Sequence, residues 1–510
     1  MHFGRKYKRI IILLFFVTIG KIKAQDTLNT AFVEKQSYQL FLDKNWNELI
    51  KFGNKAIKKD FDYYYLRLRL GIAYYEKKKY LFATKQFQKA LTFYSGDNLS
   101  KEYLYYCYIY SGRYVDARVL SKSFDTELIA KTGIDKISSL ALIQMSGGVK
   151  QPSSSYLENP HLEQLNNIRN NDSITVNKTD SIHYSTAKYF QVALGHYVKN
   201  RIYLFHAFTY FNQESSHYNH GFKTFDLHDP PPFPVNSTNH FSAPIINNND
   251  DITNQYQYYL GANIPLKKNW SISPAVHYIS SNILHKTENT VFGTIIGHPP
   301  MGPPTVLEVP FNPKLLSSQS TSHSSYFVEA FTLSKYISNL SLALGNTFSN
   351  INNTKRVQST LSISYAPFGN NQLVIGCDAH YVYTIDSAEG RAAISPYITF
   401  MPTSKISFTL NYLVDFNDKQ KDDTNNNIIE GNGLFINNSS DKTLSRLSII
   451  GNISAGKHLD FFAIYTYENN LTTLPVPADK PTNLPVTLNY YYNSFFIGIR
   501  IKNFNKFTNK

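Results

Sequence analysis

The stretch KISFTLNYLVDFN, residues 405–417, decides the fold. Ile406, Phe408, Leu410, Tyr412, Val414 and Phe416 occupy one set of alternate positions, and Lys405, Ser407, Thr409, Asn411, Leu413, Asp415 and Asn417 the other. Successive side chains of a β-strand point to opposite faces, so this segment is a strand with one apolar and one mostly polar face. Six apolar positions on one face are many for an ordinary strand. At ~3.3 Å per residue the length suits a tilted bilayer crossing, and the face ends in aromatics as membrane-spanning strands do.

Similar segments recur through the C-terminal three quarters of the chain. Strands are expected over 137–147, 187–198, 201–212, 255–266, 270–280, 325–336, 340–350, 356–367, 372–385, 391–401, 405–417, 444–456, 459–468 and 487–502, fourteen in all. The links between them alternate. Very short ones (199–200, 267–269, 369–371, 457–458) are interleaved with mostly long ones (151–186, 213–254, 281–324, 418–443, 469–486), although 351–355 and 386–390 are short too. A closed membrane barrel has this asymmetry, with tight turns on one side and long loops on the other. Leu373, Ile375, Cys377, Ala379, Tyr381 and Tyr383 against Gln372, Gly376, Asp378, His380 and Thr384 repeat the alternation, which predicts lipid outside and a polar lumen.

Composition agrees. The 510 residues are 42% hydrophobic, with 38 Tyr and 35 Phe, too apolar for disorder and unusually rich in the aromatics that barrel girdles use. Mean hydropathy is −0.31, and no internal run of about 18 apolar residues suggests a transmembrane helix. A basic start (Arg5, Lys6, Lys8, Arg9), an apolar run and Ile22-Lys23-Ala24 predict a signal peptide, residues 1–24. The two cysteines, Cys107 and Cys377, fall in different predicted domains and are expected to be unpaired. The formal charge of +14 suits an anionic partner, although solvated lysines on helix faces account for much of it.

Before the strands, residues 25–135 follow helical periodicity with a 34-residue repeat. Trp46, Tyr80 and Tyr114 are spaced by 34, as are Leu49, Ala83 and Ala117, Leu70 and Leu104, and Tyr74 and Tyr108. The central copy resembles a tetratricopeptide repeat: Leu70, Gly71 and Tyr74 match its first helix, and Ala83, Phe87 and Ala90 its second. The outer copies depart from the pattern, with Tyr105 in the place of Gly71 and with Gly53 and Ser121 in the place of Phe87. The resemblance implies three repeats, about 30–63, 64–97 and 98–131, acting as a docking surface for a periplasmic protein or peptide.

The expected architecture is therefore α + β in two domains: a helical repeat solenoid (25–135), then an antiparallel transmembrane barrel of about fourteen strands (136–504) with a polar tail (505–510). The final FFIGIRIKNF resembles the assembly signal of outer-membrane barrels, departing from it by not ending on an aromatic. Repeats followed by a barrel are similar to outer-membrane exporters of extracellular polysaccharide in Gram-negative bacteria. That resemblance implies glycan or polysaccharide cargo, an outer-membrane lipid environment and repeats in the periplasm.

Motifs that carry chemistry are absent. There is no phosphate-binding loop, dinucleotide fingerprint, zinc spacing or nucleophile elbow, and nothing points to nucleic acid, a cofactor, a metal or an enzyme. The histidines and carboxylates of 217–250 lack fixed helical spacing, and Pro230–Pro232, Pro234 and the stretch 298–304 suggest stiff external segments that fold over the mouth. Inward-facing Asp378, His380, Asp415, Arg446 and Asp460, with His277, form either a charged filter or a salt-bridge network holding the barrel shut. Two functions follow: a transport or export conduit, or a non-conducting anchor that presents long external loops.

Overall fold

The computed structural model describes residues 29–134, 139–152, 156–158, 178–228, 238–297, 305–416, 429, 442–456, 458–474 and 486–502. The signal peptide, the polar tail and both proline-rich segments (230–234 and 298–304) lie outside the described residues. Contacts divide the chain into two compact units, one ending at Cys107 and one starting at Tyr108.

The first unit holds helices α1 (Thr30–Leu42), α2 (Trp46–Ile57), α3 (Tyr64–Glu76) and α4 (Tyr80–Phe93) and most of α5 (Asn98–Tyr110). Asn29 and Asn45 start α1 and α2 by accepting backbone N–H groups of the first turn, which would otherwise lack partners. Val33, Leu49, Leu66, Leu70, Ala83, Phe87 and Ala90 are buried. Small residues set the helix spacing. A Cβ on Gly71 would stand 2.6 Å from the Phe87 ring, and one on Gly53 2.7 Å from Leu70. Arg67 pairs with Asp62 and Arg69 with Glu34, each at 2.6 Å. Cys107 and Cys377 form no disulfide; Cys107 is fully buried and its thiol is pushed up by that burial, whereas Cys377 is half-buried on the outward face.

The second unit begins with helices α6 (Tyr114–Ser121) and α7 (Thr126–Thr132), and Gly133 ends α7 at φ 63°. Sixteen strands follow: β1 (Leu140–Pro152), β2 (Tyr156–Glu158), β3 (Lys178–Tyr184), β4 (Ala187–Val198), β5 (Ile202–His228), β6 (Thr238–Pro265), β7 (Trp270–Gly297), β8 (Thr305–Ile337), β9 (Leu340–Ser349), β10 (Arg356–Tyr365), β11 (Leu373–Thr384), β12 (Glu389–Thr403), β13 (Ile406–Asp415), β14 (Lys442–Ser454), β15 (Leu459–Leu474) and β16 (Val486–Lys502). All pairings are antiparallel, and β1 with β4–β16 forms a closed ring of fourteen, β1 pairing with both β4 and β16. The short β2 and β3 extend the ladder from the far part of β5. Closure leaves no unpaired edge, which a bilayer requires.

The quoted stretch is β13. Phe408, Leu410 and Tyr412 point outward and are 44–49% exposed, while Leu413 opposite is 1% exposed. A two-residue type I′ turn needs positive φ at both central residues, and Lys199 and Asn200 supply it at 49° and 51°. One expectation fails. Residues 213–254 and 281–324 are not loops for most of their length, because β5 runs on to His228, β6 starts at Thr238, β7 reaches Gly297 and β8 starts at Thr305. These four strands have 27–33 residues, against 10–12 in β9 to β11.

Candidate functional site: the lumen and its two ends

At the short-turn end, α6 lies among barrel turns. Arg118 donates from Nη1 to Asn200 Oδ1 at 2.7 Å and stacks its guanidinium 3.8 Å over Tyr197, joining α6 to the β4–β5 turn. Arg113, the residue before α6, donates from Nη2 to Asn269 Oδ1 at 3.1 Å, pairs with Asp116 at 3.0 Å, and lies 4.6 Å over Tyr336. Those contacts reach the β6–β7 turn and the end of β8. Burial raises the Tyr114 phenol, and the charge of Asp460 on β15 raises it further. Asp460 lies almost opposite the β6–β7 turn in the ring. These contacts hold the helix to adjacent turns at the short-turn end, on the β4–β8 side of the ring.

Asp378, His380, Asp415, Arg446, Asp460 and His277 share the strand parity of buried positions. His277, His380 and Asp460 are 2–4% exposed, and the Asp415 side chain is fully buried. They do not form one cluster. Asp460 accepts from Ser454 Oγ at 2.7 Å and pairs with Lys502 near the short turns. Asp415 pairs with Arg391 at 2.7 Å near the opposite end. His380 contacts Thr360 Oγ1 through Nδ1 at 3.0 Å. Asp378 sits across β11–β12 from Ser395, and Arg446 across β14–β15 from Glu468.

Toward the long-link end a belt of charge runs along the inner wall. Lys150 pairs with Glu468 at 2.7 Å, Arg446 and Arg391–Asp415 follow, and Arg356 opens β10. These four cations face two carboxylates. Arg356 is 4% exposed, and its Nε and Nη2 have no hydrogen-bond partner among the described residues.

The lumen is less polar than expected. Ala193, Ala207, Tyr259, Ala275 and Ala330 form one inward apolar cluster, and Val382, Ala393 and Leu413 another. Ile429 enters a third, with Ile279, Tyr326, Val328 and Ile351, and the Gln358 amide grips its backbone by donating to the Ile429 carbonyl at 2.7 Å and accepting its N–H at 2.9 Å.

Sequence reading missed a constellation on the long strands. On β7, His285 Nδ1 lies 2.7 Å from Asp251 Oδ1 of β6, and its Nε2 lies 2.8 Å from Ser322 Oγ of β8. All three have the inward parity of Gln255, Ile279 and Tyr326. A second group faces outward: His323 Nδ1 is 2.6 Å from Asn282 Oδ1, and its Nε2 is 3.3 Å from Ser325 Oγ. The outward pair His196 and His206, stacked at 5.2 Å between ring centres, has a Tyr258 hydroxyl at 2.7 Å from His206 Nδ1. Counting back from each short turn would have revealed the inward group, had the segments been read as strands.

No protein-family model matches the sequence, and no curated protein matches it. Solved structures resemble the fold distantly. A FadL homologue of Pseudomonas aeruginosa aligns at TM-score 0.40 and 8% identity, over 72% of this chain and 91% of its own. A monoaromatic hydrocarbon channel, a TodX deletion mutant, aligns at 0.36 and 7%, over 73% and 92%. A bacterial polysaccharide outer-membrane secretin aligns at 0.31 and 10%, over 71% and 99%.

Proposed function

We propose that this protein is an outer-membrane conduit of a Gram-negative bacterium, used for transport or export, whose helical repeats dock a periplasmic protein or peptide. One observation carries the proposal: α6, which continues the chain of the repeats, is anchored by Arg113 and Arg118 to adjacent short turns at one end of a closed barrel. The repeat reading assigns Trp46, Leu70, Gly71, Tyr74, Tyr80, Ala83, Phe87, Ala90, Leu104, Tyr108, Tyr114 and Ala117 to helix packing. Partner engagement moves α6 and opens the lumen. The charge belt favours anionic cargo, and an acid-bearing glycan fits both that belt and the resemblance to polysaccharide exporters.

Planar-bilayer recording tests this. The wild type is expected to pass little current and the R113A/R118A double variant to show steady channels. Silence from both, with the barrel folded, removes the conduit. A second reading then stands on the long strands β5–β8, which carry polar surface beyond the aromatic belt: a non-conducting anchor that binds at the cell surface.

A further inference from the structure

We propose that Ser322, His285 and Asp251 form a nucleophilic site that hydrolyses acyl esters of water-soluble molecules. A serine becomes a nucleophile when a base accepts its proton and a third group orients that base. Here Asp251 Oδ1 accepts the Nδ1–H of His285 at 2.7 Å, which leaves the Nε2 lone pair for the Ser322 hydroxyl at 2.8 Å. Both links are within the 2.6–3.2 Å reach of a working nucleophile–base pair. The three residues come from three neighbouring strands whose register is continuous, Asp251 directly opposite His285 and Ser322 opposite Ile283. The ladder, rather than a loop, holds the geometry.

Position selects the substrate. The site lies past Tyr256, Tyr278 and Phe327, outward aromatics of β6, β7 and β8, and on the inner face, so bilayer lipid does not reach it. The side chains of His285 and Asp251 are 32% and 38% exposed, which leaves the imidazole accessible to a solute. The ester is therefore water-borne, with an O-acyl group on a soluble alcohol or sugar as its simplest form.

The reaction balances with water alone. Ser322 Oγ attacks the acyl carbonyl and its proton passes to His285 Nε2. The bond from the acyl carbon to the alcohol oxygen breaks, and the departing alkoxide takes that proton. Water then attacks the acyl-serine and gives a proton to Nε2, which returns it to Oγ as the carboxylic acid leaves. Asp251 keeps its charge throughout and stabilises the imidazolium.

The outward Ser325–His323–Asn282 group is a built-in control. Its serine link is longer, at 3.3 Å, and its orienting group is a neutral amide. Full-length protein in detergent is treated with a fluorophosphonate probe and mapped by mass spectrometry, and 4-nitrophenyl acetate hydrolysis is followed in parallel. Label on Ser322, lost in S322A and H285A and kept in S325A, is expected, with hydrolysis falling at least tenfold in D251N. Heat-modifiable gel migration verifies that each variant holds a folded barrel. Folded wild type that takes no label, label that persists in S322A, or label on Ser325 instead overturns the proposal. Conductance is independent of this outcome, so the conduit and the ester site fail separately.

Discussion

The wall made by β9, β10 and β11 and the wall made by β5 to β8 belong to one barrel but obey different rules. In the first, strands of 10–12 residues keep the alternation to their ends, with Leu344, Phe348, Val357, Leu361, Ile363 and Ile375 outward. In the second, alternation stops beyond Tyr256, Tyr278 and Phe327, yet pairing continues, as where Asn247–Asp251 run against His285–Asn289. A ladder needs only backbone groups, whereas alternation records two different solvents on two faces. Past the lipid both faces meet water. The pattern fades there while the strand does not.

The largest expected effect separates the two walls directly. Leu361→Arg puts a charge on the lipid face midway along β10 and is expected to cost about 2–4 kcal/mol. Thr321→Arg, also outward but on the β8 extension, is expected to cost at most about 0.5 kcal/mol, as surface substitutions do. Reversible urea unfolding in lipid vesicles measures both. Equal costs would mean that the extension also lies in the membrane.

A smaller effect is expected at the short-turn end. Arg118→Ala removes a buried charged hydrogen bond to Asn200 and a stack on Tyr197, a loss of about 1.5–3 kcal/mol in the docking of α6. Protease nicking near residues 122–125 should accelerate while the barrel core stays protected. An unchanged nicking rate would show that the helix is held by other contacts.

This contrast also explains what could be read from sequence. Each of the fourteen expected strands overlaps an observed one, and Ala187–Val198 coincides with its expected bounds, because each strand faces lipid on one side over most of the predicted length. Leu413 was assigned to the polar face and is buried in the lumen, where an apolar cluster with Val382 and Ala393 replaces water. Arg113 and Arg118 carried no signal, since an arginine beside a helix reads as solvated until its partners Asn200 and Asn269, far along the chain, are brought near. Asp251, His285 and Ser322 were hidden in the same way. They stand on strands whose two faces are both wet, so no period marked them.

Selectivity is a still smaller readout, and it probes the long-link side of the short wall. Arg356→Gln removes one of the two excess positive charges of the belt, and the chloride-to-potassium permeability ratio of an opened channel should fall, by no more than the roughly tenfold enrichment a charged cleft provides. Reversal potentials in a salt gradient give that ratio. An unchanged value would place the ion path away from β10.

The smallest expected effect lies in the helical unit, where acid should act while the barrel resists. The Arg69 hydrogen bond holds the Glu34 carboxyl below its ordinary 4.5, and Arg67 holds Asp62 below its ordinary 3.8. Both folded values are depressed, so the unfolded chain binds protons first as pH falls. The stability these pairs contribute is complete above the ordinary values and is lost as pH drops through them toward the folded ones. Both carboxylates are partly exposed, so solvent screens the gain. Helical ellipticity at 222 nm should soften on heating at pH 3 more than at pH 6, and E34Q/D62N should remove most of that difference. If the double variant keeps the full acid sensitivity, the titrating groups lie elsewhere, and the helical unit owes its stability to the packing of Gly71 on Phe87 and Gly53 on Leu70 rather than to its ion pairs.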